Sequence, residues 1–172
     1  MNDISHYSNT ADYFPILNAA ILTDGIVILM ALTGIIQSRT LKTWYQKYEF
    51  RAFLQDVLSI VIGIIIARAL YYSIFTSYSL FFFLCLVGSV QIGHDVLFAA
   101  FINTFPRGKS NIFDLFYHYQ KEEGFVILLA DLGMMISTVL LASGVFSKFS
   151  FNTNIVFFIV LLYLVPYLIG SF

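Results

Sequence analysis

The sequence predicts an all-α integral membrane protein with about five transmembrane helices, arranged as two tandem parallel helix-pair repeats plus a C-terminal helix. Three observations carry that expectation. Hydrophobic residues fill 59% of the 172 positions and charged residues only 11%, against about 25% charged in a soluble domain. Five apolar stretches approach the ~20 residues that cross a bilayer. Finally, one pattern is written twice. Asp24 opens an apolar half-helix, a basic aromatic connector with Tyr45-Gln46-Lys47 follows, and a second apolar run begins with Asp56 in its opening turns. Asp95, Tyr119-Gln120-Lys121 and Asp131 repeat it. The Asp-to-Asp spacings are 32 and 36 residues, and the insertion Pro106-Arg107-Gly108-Lys109 absorbs the difference.

Residues 1–14 are polar and acidic and read as a short disordered or interfacial tail; residues 15–172 form the single membrane domain. Met1 to Pro15 holds no Lys or Arg, so no secretory-signal n-region is expected. Repeat one is expected over about 15–72. Its first span, 15–37, starts with Pro15, whose missing N–H costs nothing in a first helical turn. Its second span, 52–72, carries Asp56 near the N-terminus, where the helix dipole favours an anion. Arg68, near the far end, is expected to extend its charge toward the opposite interface. Between them, Trp44, Tyr45 and Lys47 have the aromatic and basic character of headgroup-level anchors. Repeat two, about 80–145, contains spans at 80–101 and 124–145 joined by connector 102–122, with Arg107 and Lys109 as anchors. The fifth helix is expected at 155–170 and has no acidic or basic residue.

Charge placement orients the chain. Seven of the nine Lys and Arg residues lie in the two long connectors, and only Arg68 and Lys148 mark the other side. The positive-inside rule then places both connectors and the C-terminus inside and the N-terminus outside.

Most chemistry is excluded by what the motifs lack. A net charge of −1 supplies no field for nucleic acid, and Cys85, the single cysteine, allows neither an internal disulfide nor a CxxC site. Gly108-Lys109-Ser110 has Asn103 where a phosphate loop requires glycine. Asp24-Gly25 lacks the later spaced carboxylates of membrane alcohol-phosphotransferases. His6, His94 and His118 are too scattered for an oxygenase cluster, and no nucleophile elbow occurs. No enzyme activity, metal or cofactor is expected.

The intramembrane carboxylates are the chemical signal. An aspartate at mid-bilayer costs ~2.5–3.5 kcal/mol on insertion scales, so Asp24 and Asp95 should face the protein interior. Gln91 and His94 share their surroundings with Asp95, and the four residues form a candidate polar core. Asp24 and Asp95 are expected to face each other across the bundle centre, with His94 available to either. Asp56 and Asp131 lie nearer the cytoplasmic end, where dipole and interface account for them. One reading is an ion or proton path; the other is hydrogen bonding between helices, with Asn18, Thr23, Gln91 and His94 as partners.

Three stretches carry a family resemblance: Leu41-Lys42-Thr43-Trp44-Tyr45 with Lys47-Tyr48; Asp56-Val57-Leu58 with Gly63 and Arg68; and Pro106-Arg107-Gly108-Lys109-Ser110 followed by Asp131. Over residues 15–170 the chain resembles a group of uncharacterised multi-pass membrane proteins encoded by large DNA viruses of algae and protists. The resemblance implies a location, the virion inner membrane or a host membrane, and no active site. The expected function is therefore that of a structural membrane protein. Its partners would be the lipid bilayer, capsid or other membrane proteins, or further copies in a homo-oligomer. A small ion or proton channel using the aspartates is the alternative.

Overall fold

A computed structural model describes residues 1–171. Among these residues the secondary structure is entirely helical: α1 (Tyr13–Leu32), α2 (Arg39–Tyr48), α3 (Phe50–Ile74), α4 (Leu80–Thr104), α5 (Asn111–Glu123), α6 (Phe125–Gly144) and α7 (Phe151–Ile169). Five segments, built on α1, α3, α4, α6 and α7, are long and apolar enough to cross a membrane. The chain is thus an all-α, multi-pass, membrane-type protein.

Local signals set the boundaries. Helix α1 stops at Leu32, short of the expected residue 37, because Gly34 turns the chain at φ 78° and the Thr33 hydroxyl caps the Leu29 carbonyl at 2.9 Å. The connectors are helices in their own right. Ser38 caps α2 by accepting the Leu41 N–H, and Ser110 caps α5 by accepting that of Phe113. Ser150 does the same for α7 at Thr153, so that helix begins at Phe151 rather than near 155.

The halves 13–74 and 80–144 therefore share one element order: long helix, short helix, long helix. Helix α1 packs against α3, α6 and α7, while α4 packs against α3 and α6. Helices α3 and α6 touch between them, and α2 and α5 touch at the connector end. Exchanging the two halves carries α1–α3 onto α4–α6 and α1–α6 onto α4–α3, and leaves α3–α6 and α2–α5 as they are; only the pair with α7 has no counterpart. Two glycines permit the close central packing. A Cβ on Gly63 would lie 2.8 Å from Met135, and one on Gly88 would lie 2.8 Å from Leu132. Helix α6 thereby approaches both α3 and α4.

The N-terminal segment corrects the expectation of a disordered tail. Ile4 and Ser5 are fully buried, and the Asn2 N–H bonds the Ser143 carbonyl at 2.9 Å. This segment folds over the end of the bundle where α3, α6 and α7 have their far turns. Arg68 holds it there.

Candidate functional site

Helix α2 is amphipathic, and its inward face brings aromatic donors to the carboxylates. Tyr45 follows Trp44 in the middle of the helix, and both are buried, at 1% and 4% exposure. This corrects their assignment as headgroup anchors: their polar ends point inward. The Trp44 indole N–H donates to Oδ2 of Asp56 at 2.9 Å. The Tyr45 hydroxyl lies 3.0 Å from Oδ1 of Asp24 and 3.1 Å from the same Oδ2 of Asp56. Asp24 is fully buried on α1 and Asp56 partly buried on α3. Burial, then the charges of Asp56 and Asp24, push the Tyr45 phenol well above its ordinary range, so it remains a neutral hydroxyl. Lys47, Arg107 and Lys109 are exposed at the connector surface.

The second half is built differently. Asp95 accepts from the Gln91 amide at 2.7 Å and meets Nδ1 of His94 at 3.1 Å, all on α4. Gln91 is buried, whereas the His94 side chain is 52% exposed and stacks on Phe98. His94 therefore lies at the outer edge of the polar core that the sequence placed it in. Asp131 is half-buried on α6, within electrostatic range of Asp95, Asp56 and His94. Tyr119, on α5, is raised above its ordinary range by burial, then by Asp131, Glu123 and Asp56.

These contacts correct two expectations. Asp24 and Asp95 do not pair across the centre, because α1 and α4 occupy opposite corners with α3 and α6 between them. Asp24 instead meets Asp56 through Tyr45, and His94 bonds Asp95 rather than Asp24. Nor is Asp56 simply a dipole cap: on the central helix α3 it accepts from Trp44 and Tyr45, and Asp131, on α6, lies within electrostatic range of it.

Other polar groups fasten helices together. The Asn18 amide donates to the Asn154 carbonyl at 2.9 Å and to its Oδ1 at 3.1 Å, tying α1 to α7. The Thr138 hydroxyl meets that of Thr23 at 3.1 Å, tying α6 to α1. Glu122, near the end of α5, accepts the N–H groups of Arg39 and Thr40 at 2.7 and 2.9 Å and the Thr40 hydroxyl. Its carboxyl is held below the usual glutamate range, first by the Thr40 hydroxyl and, against slight desolvation, by those two N–H groups.

Sequence reasoning missed the role of Arg68. Its guanidinium is buried beneath the N-terminal segment and donates to the carbonyls of His6 and Asn9 (2.8 Å to the latter) and to Asp12 at 3.1 Å. It also lies over the Tyr13 ring. The available signal was an arginine in a span with an acidic, carbonyl-rich segment elsewhere in the chain. Beside it, Asp3 accepts from Ser5 and Tyr72; burial alone would raise its carboxyl, but these donors hold it below the usual range.

Among the described residues, no group of three or more His, Cys, Asp or Glu side chains could hold a metal ion. No family model, curated protein or solved structure matches the chain.

Proposed function

We propose that the protein is a structural multi-pass membrane protein of a viral internal membrane. Its N-terminus would lie outside, and the cap formed by α2 and α5 would face the cytoplasm or capsid. The two halves are read as tandem copies of one unit that cross the membrane in the same direction. The observation that carries the structural reading is the use made of polar groups at membrane depth and at the cap. Asn18, Thr23, Tyr45, Arg68 and Glu122 each join separate elements of the chain. In lipid, where apolar burial does not drive helix association, such bonds and close packing hold a bundle together. The viral location rests on the sequence resemblance. Quantitative mass spectrometry of purified particles tests it: the reading requires stoichiometric amounts, and absence from particles overturns it.

A second reading, a small ion or proton conductor, is favoured by the gathering of Asp24, Asp56, Asp131 and Asp95 into one network. Purified protein in liposomes distinguishes the two. Conduction requires a pH- or cation-dependent flux that Asp95→Asn removes; a scaffold gives none.

A further inference from the structure

The Tyr45 phenol stands between two carboxyl groups that it cannot serve together. Its oxygen is 3.0 Å from Asp24 and 3.1 Å from Asp56, yet a phenol carries one hydrogen and an ionised carboxylate only accepts. With both aspartates ionised, one contact would set lone pairs against lone pairs. Trp44 relieves Asp56, because its N–H reaches Oδ2. Asp24 receives no such help. It is fully buried, and its Oδ2 has no hydrogen-bond partner among the described residues.

Among the described residues, no Lys or Arg side chain is hydrogen-bonded or ion-paired to this trio. Asp131 on α6 and Tyr119 on α5 lie within electrostatic range of Asp56. Asp95 and His94 on α4 lie beyond Asp131, and α7, packed against α1, carries no acidic or basic residue. A second negative charge on this trio would be uncompensated in a low-dielectric interior. A neutral carboxyl group accounts for the geometry, because its carbonyl oxygen tolerates a missing donor far better than a carboxylate oxygen does.

We propose that Asp24, Tyr45 and Asp56 form a proton-binding site, in which the two carboxyl groups share one proton through the phenol. In one arrangement the Asp24 carboxyl donates to the Tyr45 oxygen and Tyr45 donates to ionised Asp56. In the other, Asp56 donates to Tyr45 and Tyr45 donates to ionised Asp24. Two hydrogens shift along the same line and the net charge stays at one. The Trp44 N–H favours the arrangement with the charge on Asp56. This site is independent of whether the protein is a scaffold or a conductor.

Infrared spectroscopy of the full-length protein in lipid nanodiscs tests the site. At neutral pH the wild type should show a carboxylic-acid carbonyl band that shifts in D2O. One carboxyl equivalent of that band should vanish in both Asp24→Asn and Asp56→Asn, since the remaining carboxyl then gives up its proton to solvent and, as a carboxylate, accepts the hydrogen bond that the Tyr45 hydroxyl no longer divides between two partners. Loss of carboxylate bands with no change in the acid band means that both groups were ionised, and overturns the site. Loss of the acid band in only one variant means a localised proton, and overturns the sharing. Should a variant fail to fold, wild-type protein labelled with 13C at aspartate decides the matter: absence of a labelled acid band at neutral pH overturns the proposal.

Discussion

Glu49 and Gly124 hold the same backbone conformation, φ 50° and ψ −129° at the first and φ 54° and ψ −124° at the second. Each turns a short helix into a long one. They stand 75 residues apart, the separation that also relates Asp56 to Asp131, whereas the Tyr-Gln-Lys triplets stand 74 apart. The triplet echo is therefore one residue out of register with the backbone. Trp44, twelve residues before Asp56, is the positional counterpart of Tyr119, twelve before Asp131. Tyr45 itself then corresponds to Gln120, so the phenol that bridges two carboxyl groups in the first half is replaced by an amide in the second.

The turn itself is the first test. A non-glycine residue in a sparsely populated positive-φ region costs on the order of 1–3 kcal/mol, and only glycine takes that region readily. Glu49→Gly should stabilise the protein by about 1 kcal/mol, whereas Gly124→Ala should destabilise it by about 1–3 kcal/mol. Thermal unfolding in a mild detergent measures both; an unchanged midpoint in both variants would show that the turns are unstrained.

Glu122 should make the start of α2 sensitive to pH. Its carboxyl is held below the ordinary glutamate range by the Thr40 hydroxyl and the Arg39 and Thr40 N–H groups. The sign follows directly: the contribution is complete above the unfolded-state value and disappears as pH falls through the folded one. Hydrogen exchange at the Arg39 and Thr40 amides should therefore speed up on acidification, beyond the intrinsic dependence, and Glu122→Ala should be fast at every pH. Equal protection in wild type and variant would refute the clamp.

Arg68 should decide whether the N-terminal segment stays docked. Replacing one partner of a buried ion pair costs about 3–5 kcal/mol because the other charge is left unpaired. The Arg68 side chain is buried and its partner Asp12 nearly so. Arg68→Met should leave Asp12 with only the Asn9 amide as donor, strip the guanidinium from the His6 and Asn9 carbonyls, and release residues 1–12 to limited proteolysis. A segment as resistant as the wild type would locate its anchorage elsewhere, in Ile4 or the Asp3–Tyr72 contact.

Topology is checked by cysteine labelling in a Cys85→Ser background. Gln46 and Lys109 are exposed at the connector end, Lys148 at the other. Cysteines at the first two positions should label from the inner face and a cysteine at Lys148 from the outer face. Labelling of Gln46 and Lys109 from opposite sides would break the parallel arrangement of the two halves.

The sequence by itself determined the solvent and the number of long helices, because apolar length and the scarcity of charge are properties that each segment carries alone. It also placed Asp24, Asp56, Asp95 and Asp131 within long apolar segments and showed the asymmetric distribution of basic residues, which are one-dimensional facts. Partners were decided only by the tertiary structure. A span shows which residues cannot face lipid, but the neighbour each one meets depends on which helices are adjacent. Here α3 and α6 touch at the centre and keep α1 and α4 apart. Trp44 and Tyr45 illustrate the same point: aromatic residues in a basic connector fit a headgroup belt equally well until α2 folds back over the bundle and presents them to Asp24 and Asp56. Arg68 likewise gains its role from residues 56 to 62 positions away. No local pattern encodes such a contact, because it exists only once the N-terminal segment has closed over the helix ends.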